Sequence, residues 1–329
     1  MKRWLERRWY RRVPPPSFLL PLAALYGAFA DRVAVRRKAA AVRLPVPVIV
    51  VGNISVGGTG KTPFTIFLVE QLRALGWRPG VISRGYAGRT AAWPLRVTPS
   101  TDPALCGDEP ALIARLAAVP VAVAPDRVAA ARMLLEEGGI DILVADDGLQ
   151  HYRLARDLEI CVIDGVRGLG NGARLPAGPL REGPARLATV DLVVSNGALA
   201  TPIETTAPMI EMRLAIAAAR SLAHDELRPL ARFARQRVHA VAGIGNPARF
   251  FAALTAAGLE VIAHPFPDHH RYAAIDLCFD DDLPVLMTEK DAVKCVELGL
   301  PRLWSVPARA ALDPAAVARV RELLTKLRR

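Results

Sequence analysis

The run Gly52-Asn53-Ile54-Ser55-Val56-Gly57-Gly58-Thr59-Gly60-Lys61-Thr62 spaces glycines, a lysine and a hydroxyl as a cradle for phosphate requires. Glycines let successive backbone N–H groups turn inward around anionic oxygens. A lysine in the place of Lys61 reaches the outer phosphates, and a hydroxyl in the place of Thr62 holds Mg²⁺. Ser55, Gly57, Gly58, Thr59, Gly60, Lys61 and Thr62 are therefore the candidates for binding a nucleoside triphosphate. The general pattern opens on glycine where this chain has Ser55.

Three further clusters could do chemistry. Asp146 and Asp147 close an apolar run. A carboxylate at a strand tip beside a phosphate loop holds Mg²⁺ directly or through water. Asp also caps helices, but two adjacent acids favour the metal role. In Gly107-Asp108-Glu109-Pro110, Asp108 either caps a helix or takes a proton from an attacking hydroxyl; spacing does not choose. In Phe266-Pro267-Asp268-His269-His270 the histidine pair has no third metal ligand at suitable spacing. One histidine orienting a carboxylate base is better chemistry there.

Strands and helices must aim these groups. Residues 46–51 form an apolar β-branched strand feeding the glycine loop, and a helical pattern covers 64–75, with Pro63 in its first turn. Strands are expected over 79–84, 119–124, 140–145, 158–164 and 190–195, with a helix from about Asp108 and another over 127–137. Strands alternating with helices give an α/β fold of parallel βαβ units, with ligands at the carboxyl ends of the strands. The texture loosens into Ala, Thr and Pro over 198–208, a candidate domain boundary. Beyond it, strands over 239–242, 260–264, 284–288 and 302–306 and a helix over 248–257 make a second α/β portion. Gly243-Ile244-Gly245 reads as a tight strand-to-helix turn between them.

Composition narrows the partners. A chain of 329 residues, 52% hydrophobic and 23% charged, buries a real core in one large or two ordinary domains. The four cysteines lie far apart without a CxxC pair, which excludes a disulfide framework or metal cluster and points to buried free thiols. A net charge of +11 calls for anionic partners: nucleic acid, acidic lipid or a phosphorylated substrate. Much of that charge (Lys2, Arg3, Arg7, Arg8, Arg11, Arg12, then Arg32, Arg36, Arg37, Lys38 and Arg43) brackets an uncharged stretch over 13–30. Basic residues beside an apolar segment, rather than among aromatics, favour a membrane surface over nucleic acid. The uncharged stretch is short and proline-broken for a spanning helix. Ala28-Phe29-Ala30 resembles a signal cleavage site, but a secreted enzyme would meet no ATP. The expected element is an interfacial helix capped by Ser17, with Phe18, Leu22, Leu25 or Tyr26, Phe29 and Val33 at helical spacing.

Together the motifs resemble the tetraacyldisaccharide 4′-kinase family, the lipid A 4′-kinases of Gram-negative bacteria. The similar stretches are the 50–63 loop, Ser83-Arg84-Gly85-Tyr86, Gly107-Asp108-Glu109-Pro110, Asp146-Asp147-Gly148-Leu149-Gln150-His151, Leu175-Pro176-Ala177-Gly178-Pro179-Leu180-Arg181-Glu182, Phe266-Pro267-Asp268-His269-His270 and Thr288-Glu289-Lys290-Asp291-Ala292. The Asp-Asp-Gly-Leu-Gln-His string is far more specific than a phosphate loop, and Ser55 looks like the family's own form. The resemblance implies a P-loop NTPase-like α/β/α sandwich and a second, smaller α/β/α domain joined by a strand-built hinge. On that plan residues 1–45 form the basic, apolar surface helix region, 46–205 the kinase domain and 206–329 the smaller domain with the hinge strands.

The implied reaction is transfer of the γ-phosphate of ATP to the 4′-hydroxyl of a tetraacyldisaccharide 1-phosphate, giving lipid IVA. Its implied place is the cytoplasmic face of the inner membrane, with peripheral attachment to an anionic surface and no nucleic acid; no protein partner is inferred. By resemblance Asp108 is the base and His269 its partner, and Asp146, Asp147 and Glu182 join Thr62 around Mg²⁺ and ATP. Arg84 and Arg181 are candidates for the 1-phosphate. Asp108 and His269 in different domains would make catalysis depend on hinge closure. The alternatives are a soluble P-loop kinase or GTPase of a different substrate class, with ATP preferred over GTP because Asn-Lys-x-Asp is missing, and a membrane-associated P-loop ATPase switch without a lipid product.

Overall fold

The computed structural model describes Leu5, residues 8–11, 13–224 and 226–328. Lys2, Arg3, Glu6, Arg7 and Arg12 of the basic N-terminal run lie outside the described residues. The first long helix, α1, covers Leu20–Ala39 after a single 3₁₀ turn at Ser17–Leu19. Ser17 makes no capping bond, contrary to expectation, because Pro16 takes the cap position of that turn. Pro14–Pro16 precede α1, and Pro21 sits in its first turn, where no intrahelical donor is lost, so the prolines do not break the helix. The stretch Ser17–Ala39 is long and apolar enough to cross a membrane, with mean hydropathy 1.5 over its most apolar window and 11% of that window buried.

β1, Val48–Gly52, leads through the glycine loop into α2, Lys61–Ala74. β2 (Pro79–Ser83), β3 (Leu95–Val97), α3 (Asp108–Ala117), β4 (Val121–Val123), α4 (Arg127–Glu137), β5 (Ile142–Asp146) and β6 (Leu158–Asp164) follow. β7 (Leu192–Asn196) and β8 (Met209–Ala215) complete the parallel core of a nine-stranded sheet. Valine-rich runs buried on both faces suit such a sheet. β1 lies between β6 and β5, and the chain departs to opposite sides of it, so its carboxyl end is the topological switch point where α/β sheets bind ligands.

Alternation along β1 builds both layers. Ile49 and Val51 pack with Phe64, Leu68 and Leu72 of α2 on one face, and Val48 and Val50 with Val128, Ala131 and Leu134 of α4 on the other.

The second sheet has six strands. They are β9 (Ala218–Ser221), β10 (Leu227–Pro229), β11 (Arg237–Ala242), β12 (Glu260–Pro265), β13 (Val285–Thr288) and β14 (Leu303–Val306). Helix α5, Pro247–Ala256, crosses between β11 and β12. The chain then returns to the first sheet: β15, Arg309–Leu312, pairs antiparallel with β8, and α6, Pro314–Lys326, buries Val320 and Leu324 in the same core as α2. Residues 206–329 are thus divided between the two sheets. The passages from β8 to β9 and from β14 to β15 are the two strand links joining them.

Candidate active site

The glycine loop holds its shape by sequence and by neighbours. Gly57 and Gly60 adopt φ of 99° and 95°, a left-handed backbone that side chains rarely take. A Cβ on Gly60 would lie 2.5 Å from Asn196 Nδ2, the group that donates to the Thr59 carbonyl at 3.0 Å. Ser55 is buried and bridges to Leu180, while the Arg181 amide donates to the Ile54 carbonyl at 2.7 Å. Position 55 is thus buried where the loop's backbone meets the 180–181 segment. Gly58 is exposed, and buried Thr59, Lys61 and Thr62 line the loop's exit into α2.

Lys61 Nζ lies 3.4 Å from Asp147 Oδ1, and Arg181 Nη1 lies 3.5 Å from Asp147 Oδ2. Burial alone would raise the proton affinity of Asp147, but Lys61, Arg181 and Arg127 bring it down to about 2. Asp147 has φ 50°, and Arg127 Nη2 donates to its carbonyl at 2.8 Å, so a buried arginine holds the bend after β5.

Asp146 ends β5 beside Val51 of β1 and is fully buried. Its Oδ1 accepts from Thr65 Oγ1 at 2.9 Å, one turn after Thr62 on the same face of α2. Its Oδ2 has no hydrogen-bond partner. Burial, and then the nearby charge of Glu109, push this carboxyl well above its usual range, against the pull of Lys61. A buried acid with an open oxygen, beside a threonine at the helix start, suits a divalent cation. Among the described residues no group of three or more His, Cys, Asp or Glu could enclose a metal alone. That suits Mg²⁺, which takes one or two carboxylates together with substrate phosphates.

Glu182 stands one layer back. Oε1 accepts from Gln150 Nε2 at 2.6 Å, and Oε2 meets Tyr152 Oη and, at 3.2 Å, Arg186 Nε. Gln150 Nε2 also donates to the Asn53 carbonyl at 2.9 Å, so Glu182 reaches the glycine loop through Gln150. Arg84 is exposed.

Across the cleft, Asp108 opens α3 and is buried, with its Oδ2 3.0 Å from His269 Nδ1 of the second domain. Gly107, φ 92°, makes the sharp entry; a Cβ there would lie 2.4 Å from the Tyr86 carbonyl oxygen. Gly107 holds the cap position of α3, and the Asp108 side chain turns instead to His269. Burial would raise its proton affinity, but the His269 hydrogen bond and the charges of Lys294 and Lys290 more than offset this and hold it below the usual range. His269 has φ 62° and packs its ring 5.3 Å from that of Tyr86.

The comparisons with known proteins agree on one family. The model of the tetraacyldisaccharide-1-P 4′-kinase family matches residues 16–326. The tetraacyldisaccharide 4′-kinase of Alkalilimnicola ehrlichii is 52% identical, over 97% of this chain and 96% of its own. That of Aromatoleum aromaticum is 50% identical, over 96% of each. The chain belongs to the tetraacyldisaccharide 4′-kinase family. Among solved structures, the LpxK of Aquifex aeolicus, crystallised with ATP, superposes with a TM-score of 0.80 at 28% identity, over 94% of this chain and 98% of that one.

For a 4′-kinase, the structure gives a place to residues that the sequence left without a role or that stood only within a motif. Gly245 lies against Gly58, Arg167 Nη2 donates to the Gly245 carbonyl at 2.9 Å, and Arg249 Nη2 donates to the Asn196 carbonyl at 3.0 Å. The Gly243-Ile244-Gly245 turn was legible, but its seat on the phosphate loop was not. Lys290 and Lys294 sit on and just after a helical turn, Glu289–Ala292, too short to show a period. Tyr10 Oη donates to the Val56 carbonyl at 2.8 Å, tying the N-terminal segment to the loop.

Proposed function

We propose that this kinase transfers the γ-phosphate of ATP, with Mg²⁺, to the 4′-hydroxyl of a tetraacyldisaccharide 1-phosphate, yielding lipid IVA at the cytoplasmic face of the inner membrane. The observation that carries the reading is the Asp108–His269 pair, closed at 3.0 Å across the cleft that the phosphate loop borders.

Lys61 and the loop amides at 57–61 neutralise and align the triphosphate, which is most of what phosphoryl transfer asks of a protein. Thr62, Asp146 and Asp147 hold the cation, with Glu182 placing Gln150 behind them. Mg²⁺ when bound neutralises charge on the phosphate oxygens. Asp108 accepts the proton of the 4′-hydroxyl as that oxygen's bond to the γ-phosphorus forms and the bond from the γ-phosphorus to the β,γ-bridging oxygen breaks, with ADP leaving. His269 fixes the carboxylate's orientation, and because it comes from the other domain the base is complete only when the hinge is shut. Arg181 already pairs with Asp147, which favours the triphosphate end of the cleft over a remote 1-phosphate.

Phe18 of the 3₁₀ turn and Leu22, Leu25 and Phe29 of α1 are all exposed, with Arg36, Arg37 and Lys38 in the last turn of α1. Each large apolar side chain buried in lipid is worth roughly 1.5–3 kcal/mol, and each nearby cation about 1 kcal/mol at an anionic leaflet. Arg174 Nη1 lies 2.9 Å from Asp31 Oδ2 of α1, a contact between helix and domain that supports peripheral attachment. Transfer of labelled phosphate from ATP to a tetraacyldisaccharide 1-phosphate tests the reading. Release of free phosphate without lipid product would leave only an ATPase.

A further inference from the structure

Two lysines of the second domain close on the acids that open α3. Lys290 Nζ lies 3.3 Å from Glu109 Oε1 and 3.4 Å from Asp268 Oδ1. Lys294 Nζ lies 3.7 Å from Asp108 Oδ2, the same oxygen that His269 takes, and 2.8 Å from Asp291 Oδ1. Asp291 is completely buried, and its Oδ2 accepts from the Gly243 amide at 2.9 Å and from Thr288 Oγ1 at 2.6 Å. One interior carboxylate therefore fixes both Lys294 and the turn whose Gly245 meets Gly58. The Tyr272 ring, 5.1 Å below the ammonium, leaves it little other room.

We propose that Lys294 is a positioning residue for phosphoryl transfer: held on Asp291, it grips Asp108 by Oδ2 and thereby presents Oδ1 to the acceptor hydroxyl when the second domain is closed. The inference rests on the reading of Asp108 as the base. The hydrogen bond from His269 and the ammonium 3.7 Å away both bear on this one oxygen, and together they hold the carboxylate's orientation more tightly than the histidine alone. The ammonium also keeps the base ionised in a buried place. Closure delivers the charge, the histidine and the Gly245 turn as one unit, because Asp291 and the 243–245 turn are tied together. The groups facing Asp108 are His269 and Asp268 from the loop after β12, Lys290, Asp291 and Lys294 from the helical turn and its exit, and Cys106 and Glu109 from its own segment.

The test is the pH profile of kcat/KM for the lipid acceptor, whose acid limb reports the free enzyme's base. Removing the cation in Lys294→Met raises the proton affinity of Asp108, so the limb moves to higher pH by about one unit. kcat falls, while KM for ATP stays. Lys294→Arg keeps the charge and leaves the limb in place. Lys294→Met alone strands a buried carboxylate and can unfold the turn. The double variant Lys294→Met/Asp291→Asn removes both charges, keeps an acceptor for Gly243, and shows the same shift. A wild-type limb in a folded double variant would overturn the proposal. Asp108→Asn separates the two ideas: full activity there removes the base reading and Lys294's role with it, whereas an inactive Asp108→Asn beside an unshifted limb removes Lys294 alone.

Discussion

Gly245 of the second domain packs on Gly58 of the phosphate loop so closely that a Cβ on Gly245 would lie 2.7 Å from the Gly58 amide nitrogen. That nitrogen belongs to the loop proposed to cradle the triphosphate, so contact between the domains and the shape of the proposed nucleotide site are one geometric fact. Gly245→Ala cannot close without moving backbone against backbone. The variant is expected to fold with wild-type thermal stability but to lose about 10²-fold in kcat, the scale on which small misplacements act. Steady-state phosphotransfer together with a melting curve checks this; an unchanged kcat would show that the cleft works without this contact.

Asp108 and His269 differ in what their loss removes. Asp108→Asn keeps the shape but takes away the proton acceptor, so kcat should fall by about 10²–10⁴. His269→Ala removes one of two groups on Oδ2 while Lys294 still reaches the carboxylate at 3.7 Å, so the loss should be smaller. Lys61→Ala should cost as much as Asp108→Asn, with a large part of it in ATP affinity, because its ammonium serves the phosphates. Rates for the three variants under saturating ATP establish the ranking. His269→Ala falling below Asp108→Asn would make histidine the acceptor.

Asp146 makes stability depend on pH in an unusual direction. Its carboxyl is raised from an ordinary value of 3.8 to about 7 by burial, so between those values the folded enzyme holds a proton that the unfolded chain has released. Stability contributed by this group is therefore present below about pH 4 and lost as pH rises through 7. Asp146→Asn, which stays neutral, should melt higher than wild type at pH 8 in the absence of Mg²⁺ and show no such difference near pH 4. With Mg²⁺ and ATP the order should reverse, because only the wild type gains from the cation. A scan of melting temperature against pH, with and without Mg²⁺–ATP, decides it. Equal shifts from Mg²⁺–ATP in both proteins would take Asp146 out of the metal site.

What the sequence revealed and what it hid follow from the range of the interactions involved. The strands β1, β5, β6 and β7 and the glycine loop were legible because β-branched runs and local turn chemistry write them into adjacent residues. β15 was not: Arg-Ala-Ala-Leu carries no alternation, and it becomes a strand only by pairing with β8 at the edge of the first sheet. The expectation that 206–329 form the smaller domain with the hinge strands did not include this return to the first sheet. At the site, Asp108 and His269 could be named from their motifs, but their 3.0 Å approach depends on two domains meeting. Lys294 gave no local signal, because its meaning lies in Asp291 and Asp108 together.

The apolar helix can be tested without disturbing the site, but not by truncation. Trp9 Nε1 donates to the Pro176 carbonyl at 3.1 Å and Tyr10 Oη to the Val56 carbonyl at 2.8 Å, so deleting residues 1–40 strips one brace from the phosphate loop and one from the 175–182 segment along with the helix. Leu25 and Phe29, about 70% exposed, touch little of the protein, and Leu25→Asp/Phe29→Asp changes the outward face alone. Losing two buried apolar side chains removes roughly 3–6 kcal/mol of lipid attachment. The double variant should therefore leave anionic vesicles, its KM for the acylated acceptor should rise at least tenfold, and its KM for ATP should not change. Vesicle co-sedimentation and kinetics with each substrate varied in turn measure all three. Full retention on vesicles would place the membrane contact elsewhere on the protein.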